Sequence, residues 1–186
     1  MISYPVRQGF LAVSVFLLGC LFLPLDGHSD VSAQSMGMGK VGPLATGEHV
    51  FKFSNVDQGA SVERVELEGE FYLAYSFDLD DATVVALLDQ SDTTIYKLST
   101  SSRRFATKVG SRVGDSLLEI YENNPGSFVV AADHGAPEFG LVLPDDEGVF
   151  VFDSRENAID SCSASTDACV KLYGDLKSNR FYTVGT

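Results

Sequence analysis

The hydrophobic pattern of this chain changes character once, near residue 40. Residues 9–23, Gly-Phe-Leu-Ala-Val-Ser-Val-Phe-Leu-Leu-Gly-Cys-Leu-Phe-Leu, are apolar without a charge and end at Pro24. Past residue 40, short clusters of β-formers alternate with turn residues. Val50–Phe53 is a short strand candidate. Val62 to Leu67 nearly alternates, with Val62 and Leu67 out of phase, so a bulge or helical turn competes with a strand there. Phe71, Leu73, Tyr75 and Phe77 fall on one face of a period-2 strand. Asp78 to Asp81 is a charged turn, and Thr83–Leu88 reads as a buried strand. Thr93–Leu98 follows the turn Asp89–Asp92, which predicts a hairpin. Strands resume at Phe128–Ala132, Phe139–Leu143, Val149–Phe152, Val170–Tyr173 and Arg180–Val184.

One helix interrupts this pattern. Ser116 and Glu119 have the S-x-x-E spacing of a capping box, in which the serine hydroxyl accepts the amide at Glu119 and the carboxylate reaches back. Leu117, Ile120 and Tyr121 share a face, and Asn123-Asn124-Pro125-Gly126 stops the helix. An aspartate at 116 would also cap it and would suit the positive helix end. The expected fold is α+β: a mostly antiparallel sheet, as a sandwich or an open barrel, with one short helix near residues 116–123.

The start of the chain reads as an export signal. Arg7 is the one charge before the apolar run. Fifteen residues at helical rise reach about 22 Å, short of the hydrocarbon core of a bilayer. Two processing sites compete. Val31-Ser32-Ala33 puts small residues before Gln34, whereas Leu17-Leu18-Gly19-Cys20 resembles a lipobox that would lipidate Cys20. The apolar Leu-Phe-Leu after Cys20 disfavours the lipobox, and cleavage after Ala33 is preferred. The chain therefore divides into a signal peptide at 1–33, a flexible lead-in at 34–40 and a single β-rich domain at 41–186. The expected location is periplasmic or secreted, the alternative being a lipid anchor through Cys20.

Of three cysteines, Cys20 falls in the leader, leaving Cys162 and Cys169 to pair in an oxidising compartment. The polar run between them suits a surface loop. No histidine lies near, and the spacing is not that of a zinc site.

The formal net charge is −13. Without Arg7, Asp26 and Asp30 the exported part keeps 12 basic and 24 acidic residues, a net of −12. Such a polyanion is repelled by phosphate backbones and anionic lipid, so no nucleic-acid partner is expected, and a membrane only if Cys20 is lipidated. A cationic protein is the partner its field would attract. With 13 phenylalanines and 7 tyrosines the composition is globular.

Gly114-Asp115-Ser116-Leu117 spells the nucleophile block of an esterase family. That family places the block near the mature N-terminus and supplies a distal Asp-x-x-His. Here the block is in mid-chain, and the one histidine after it is His134, beside Asp133. A nucleophile needs a base within hydrogen-bond reach and an orienting partner for that base. The cap accounts for Ser116. Asp78, Asp80 and Asp81 fail the calcium-loop pattern, since Ala82 and Thr83 stand where an oxygen ligand and glycine belong. Pro144–Gly148 reads as an ordinary turn, and His28 and His49 stand alone. No catalytic residue, metal ligand or cofactor is expected.

Gly42-Pro43-Leu44, the segment Lys108-Val109-Gly110-Ser111-Arg112-Val113-Gly114-Asp115-Ser116-Leu117-Leu118-Glu119-Ile120-Tyr121, and strands ending near Phe150-Val151-Phe152 together resemble the uncharacterised sigma-E-regulated envelope lipoproteins of Gram-negative bacteria and similar exported domains. The likeness spans about 41–153 and is best over 108–121. It implies an envelope location and a mixed α+β fold, and it carries no catalytic residues. The cysteine pair lies later than that family would place it.

Three functions follow as expectations. The first is a non-enzymatic envelope or periplasmic domain that binds a partner or supports the envelope. The second is a protein inhibitor of a cationic hydrolase such as lysozyme, suggested by the negative charge and a disulfide-closed loop that could enter a cleft. The third is a small hydrolase using Ser116.

Overall fold

The computed structural model describes residues 34–53, 61–67, 69–89, 93–131, 138–146, 148–153, 162 and 165–184. All lie in one compact unit, Ser32–Thr186. In chain order it contains β1 (Gln34–Gly37), β2 (Lys40–Val41), β3 (Leu44–Ala45), a 3-10 turn at Val50–Phe53, β4 (Ser61–Leu67), β5 (Glu70–Leu79), β6 (Ala82–Leu88), β7 (Ile95–Thr100) and β8 (Phe105–Ala106). Then come α1 (Leu117–Asn123), β9 (Phe128–Ala131), β10 (Glu138–Val142), a 3-10 turn at Pro144–Asp146, β11 (Val149–Asp153), α2 (Thr166–Tyr173) and β12 (Ser178–Val184). The fold is α+β and β-rich, as the pattern predicts.

The main sheet is antiparallel throughout, in the order β4-β5-β6-β7-β12-β11-β10-β9, and it is open. β5 and β6 meet at Asp80-Asp81, both with positive φ (48° and 71°), the backbone of a two-residue hairpin turn matched to strand twist. Arg104 donates to the Asp80 carbonyl, and Thr83 Oγ1 donates to Asp78 Oδ1 at 3.0 Å. One face of the sheet carries the core. Phe77, Val84, Ala86, Leu98, Phe181, Phe150, Phe152, Phe139 and Leu141 recur at strand period and are buried. The rings of Phe139 and Phe152 stack at 5.2 Å, and Phe150 meets Phe181 edge-on at 5.1 Å. Leu117 and Ile120 of α1, Met36, Val41 and Leu44 of the N-terminal strands, Phe105 and the two cysteines complete one cluster. Gly148 admits no side chain: its φ is 141°, and a Cβ there would collide with the Phe181 ring and the Tyr182 carbonyl.

Three expectations are corrected. The lead-in at 34–40 has regular structure: β1 pairs parallel with β8 and antiparallel with β2. Met36 is 4% exposed, so burial holds the segment down. Val50–Phe53 is a 3-10 turn rather than a strand, because Val50 and Phe53, three apart, are the pair that enters the core. Val170–Tyr173 belongs to α2. Cys169 and Val170 face the core from that helix, Lys171 suits its C-terminal turn, and Gly174 follows it.

The predicted helix is α1, with Ser116 as its N-cap and the full capping box. Asn124 ends it, donating from Nδ2 to Ile120 O at 2.6 Å and to Ser111 Oγ at 3.0 Å. β4 is a regular strand, paired without a bulge from Ser61 opposite Ser76 to Leu67 opposite Glu70. Cys162 and Cys169 are bonded, with Cα atoms 4.4 Å apart and both residues buried. Within the interval between them Thr166–Ala168 are already the first turn of α2, where the sequence predicts a surface loop. The bond ties that helix to the core.

Candidate functional site

The Gly-Asp-Ser-Leu block is a helix start with its polar groups engaged. Ser116 is 7% exposed. Its N–H and its hydroxyl both donate to Glu119 Oε2, at 2.8 and 2.7 Å, and the Glu119 N–H donates back to Ser116 Oγ at 3.3 Å. The Leu117 N–H donates to Leu176 O at 2.9 Å and the Leu118 N–H to Gly174 O at 3.0 Å. An oxyanion hole needs such amides pointing at open space, and these point at carbonyls. Asp115 builds the preceding turn. Its Oδ2 accepts the Arg112 N–H at 2.7 Å, and its Oδ1 accepts from Arg103 Nη2 at 3.1 Å.

Glu119 would be a poor general base. The Ser116 N–H and hydroxyl, with Lys177 Nζ 3.3 Å from Oε2, hold its carboxyl down at about 2. A base that weak takes up protons badly at neutral pH. His49 Nδ1 lies 2.8 Å from Thr93 Oγ1 beside β7 and serves that contact. Cys20, His28, Val31–Ala33, Asp133 and His134 lie outside the described residues. Among the described residues no cluster of three His, Cys, Asp or Glu side chains is placed to hold a metal ion. The Asp78–Asp81 turn has its own hydrogen bonds, as described above.

The two helices pack together. Tyr121 OH donates to Asp167 Oδ1 at 2.7 Å, and that bond raises the phenol above its ordinary pKa. Beside them lies a shallow groove of about 320 Å³, bordered by Leu118, Val170 and Leu172 with Asp167, Lys171 and Asp175. No buried polar side chain among these converges on it.

Four exposed apolar side chains gather at the β4–β5 end of the sheet. Val62 is 51% exposed, Phe71 44%, Leu73 43% and Leu67 42%. Val62, Phe71 and Leu73 lie on the face that becomes the buried core farther along β5, at Phe77, and on the neighbouring β6. The Arg64 guanidinium sits 3.9 Å over the Phe71 ring. Among the described residues β4 is an edge strand, with β5 on one side and no strand of the sheet on the other. The opposite edge is managed differently: the Val129 N–H of β9 donates to Thr166 Oγ1 at 3.0 Å, and α2 packs against that strand. The period-2 reading missed this surface. Its signal was the phase of β4, which places an apolar residue and a charge on each face, as edge strands do.

No family model matches this chain, and no curated protein does. A solved structure does: the uncharacterized protein yfeY from Escherichia coli. The chain resembles yfeY in fold. Identity is 11% and the TM-score 0.55, over 82% of this chain and 99% of that one. The resemblance to sigma-E-regulated envelope lipoproteins read from Gly42–Leu44 and Lys108–Tyr121 is not confirmed by any family match, and the likeness to yfeY is one of fold alone.

Proposed function

We propose that this chain is an exported envelope domain that works by docking a protein partner on its β4–β5 edge, without catalysis. The observation that carries the reading is the contrast between the sheet's two edges. On β9 the Val129 N–H is taken by Thr166 and α2 packs against the strand, although Phe128 is exposed, whereas among the described residues nothing pairs with β4, and four exposed apolar side chains lie beside it. A long open edge next to exposed apolar surface is costly to leave unprotected and suits pairing with another chain. The engaged hydroxyl of Ser116 and the low pKa of Glu119 favour binding over hydrolysis. Export is supported by the leader pattern and by a buried disulfide, which persists in oxidising compartments. Among the described residues no helix is long and apolar enough to cross a membrane.

A photo-cross-linking side chain placed at Leu73 tests this in cells, with one at Glu122 on α1 as the control. Adducts from Leu73 in the envelope fraction and none from Glu122 are expected. A chain that stays inside the cell, or that yields no adduct from Leu73, refutes the reading.

A further inference from the structure

We infer that the partner on this edge is a second copy of the chain, paired antiparallel through β4 about a two-fold axis at Val65. The inference rests on the reading above and names its occupant. It starts from charges left over on β4. Among the described residues, neither Arg64 nor Glu66 has an ion-pair partner, and both are exposed. They flank Val65 on one face of the strand, Arg64 opposite Leu73 and Glu66 opposite Phe71 of β5.

Two antiparallel strands related by a two-fold place one residue opposite its own copy. Within Ser61–Leu67, pairings of five residues or more centre on Glu63, Arg64 or Val65. Centring on Glu63 sets glutamate against glutamate, and centring on Arg64 sets arginine against arginine. Like charges directly opposite are destabilising. Centring on Val65 sets Val65 against its copy and Arg64 against Glu66 of the other chain, twice. The same register continues the face carrying Phe71 and Leu73 of each copy into one sheet, with the Arg64–Glu66 pairs between them. The alternative head-to-tail joining, β4 to β9, would grow open filaments, and it is blocked where Thr166 takes the Val129 N–H. Of the joinings between edges of the main sheet, the closed two-fold is the one favoured.

The test uses the full chain, expressed from residue 1 and purified in the form the cell leaves it. Sedimentation should show a dimer. Arg64→Glu and Glu66→Arg should each weaken it by about tenfold or more, since each turns two attractive pairs into repulsive ones. Mixing the two variants should restore dimer, because an edge with two acidic side chains then faces an edge with two basic ones. Restoration on mixing also shows that neither variant simply failed to fold. Val65→Cys should cross-link to itself under oxidation, since directly opposite residues have Cα atoms about 4.5–5.5 Å apart. A monomer at tens of micromolar, or a dimer unaffected by both charge swaps, overturns the self-pairing. If the chain is a monomer and Leu73 still cross-links a different protein, self-pairing falls and the docking reading stands. If Leu73 cross-links nothing, both fall.

Discussion

Glu119 Oε2 accepts two hydrogen bonds from Ser116, one from its N–H at 2.8 Å and one from its hydroxyl at 2.7 Å. The serine is thus a donor through its side chain as well as an acceptor from the Glu119 amide. This changes what a substitution at 116 should do.

Ser116→Ala should cost about 1 kcal/mol, the usual loss of an N-cap, read as a lower denaturant midpoint. Aspartate caps an isolated helix well, but here it would set a second carboxylate where the hydroxyl proton now faces Glu119. Ser116→Asp should therefore also unfold earlier than the parent. If Ser116→Asp matches the parent, the hydroxyl-to-carboxylate bond contributes nothing.

The Glu119 carboxyl is lowered from 4.5 to about 2 in the folded chain. A depressed carboxylate stabilises the fold above its unfolded pKa and loses that contribution as pH falls through the folded one. The gap in midpoint between the parent and Glu119→Gln should therefore be constant above about pH 5 and close between pH 4.5 and 2. A gap that does not change across that window would mean that the carboxylate is not held by Ser116.

Tyr121 is shifted the other way, because its hydroxyl donates to Asp167. The neutral phenol is favoured in the fold, so its contribution is full below pH 10 and declines as pH rises through the raised value. Ultraviolet titration should show a late-titrating component that disappears in Tyr121→Phe and moves to lower pH in Asp167→Asn.

Peptide mapping without reductant should find Cys162 joined to Cys169. Closing this eight-residue loop is worth about 2.5 kcal/mol on chain-entropy grounds, and the double Cys→Ala variant should lose an amount of that order. Free alkylation of both thiols in the native protein would contradict the pairing.

Mass spectrometry of the exported protein should give Gln34 as its first residue. Strand β1 would then begin at the new N-terminus, with Gln34 opposite Phe105. A diacylglyceryl-modified Cys20 would reverse this and make residues 21–33 a tether.

The legible part of the chain was local. Ser116 and Glu119 are three residues apart, so one turn of helix brings them together whatever the rest of the chain does. The branched run Thr83–Leu88 and the charged turn Asp78–Asp81 before it likewise specify strand and hairpin at short range. Features that depend on distant partners were settled by packing instead. Gln34 and Ser35 are strand because Phe105 and Ala106, some seventy residues on, pair with them, and that pairing leaves no mark on the string Gln-Ser-Met-Gly; Met36 and Gly37 pair with Val41 and Lys40 close by. Val170–Tyr173 suits a strand in isolation. It is helical because only that period presents both Cys169 and Val170 to the core, with Cys169 bonded to Cys162. Phe71 and Phe77 occupy one face of one strand with the same chemistry, yet one is exposed and the other buried. Strand period fixes the face a side chain takes, but only the packing of other elements fixes whether anything covers it, and the same holds for the open edge at Val65.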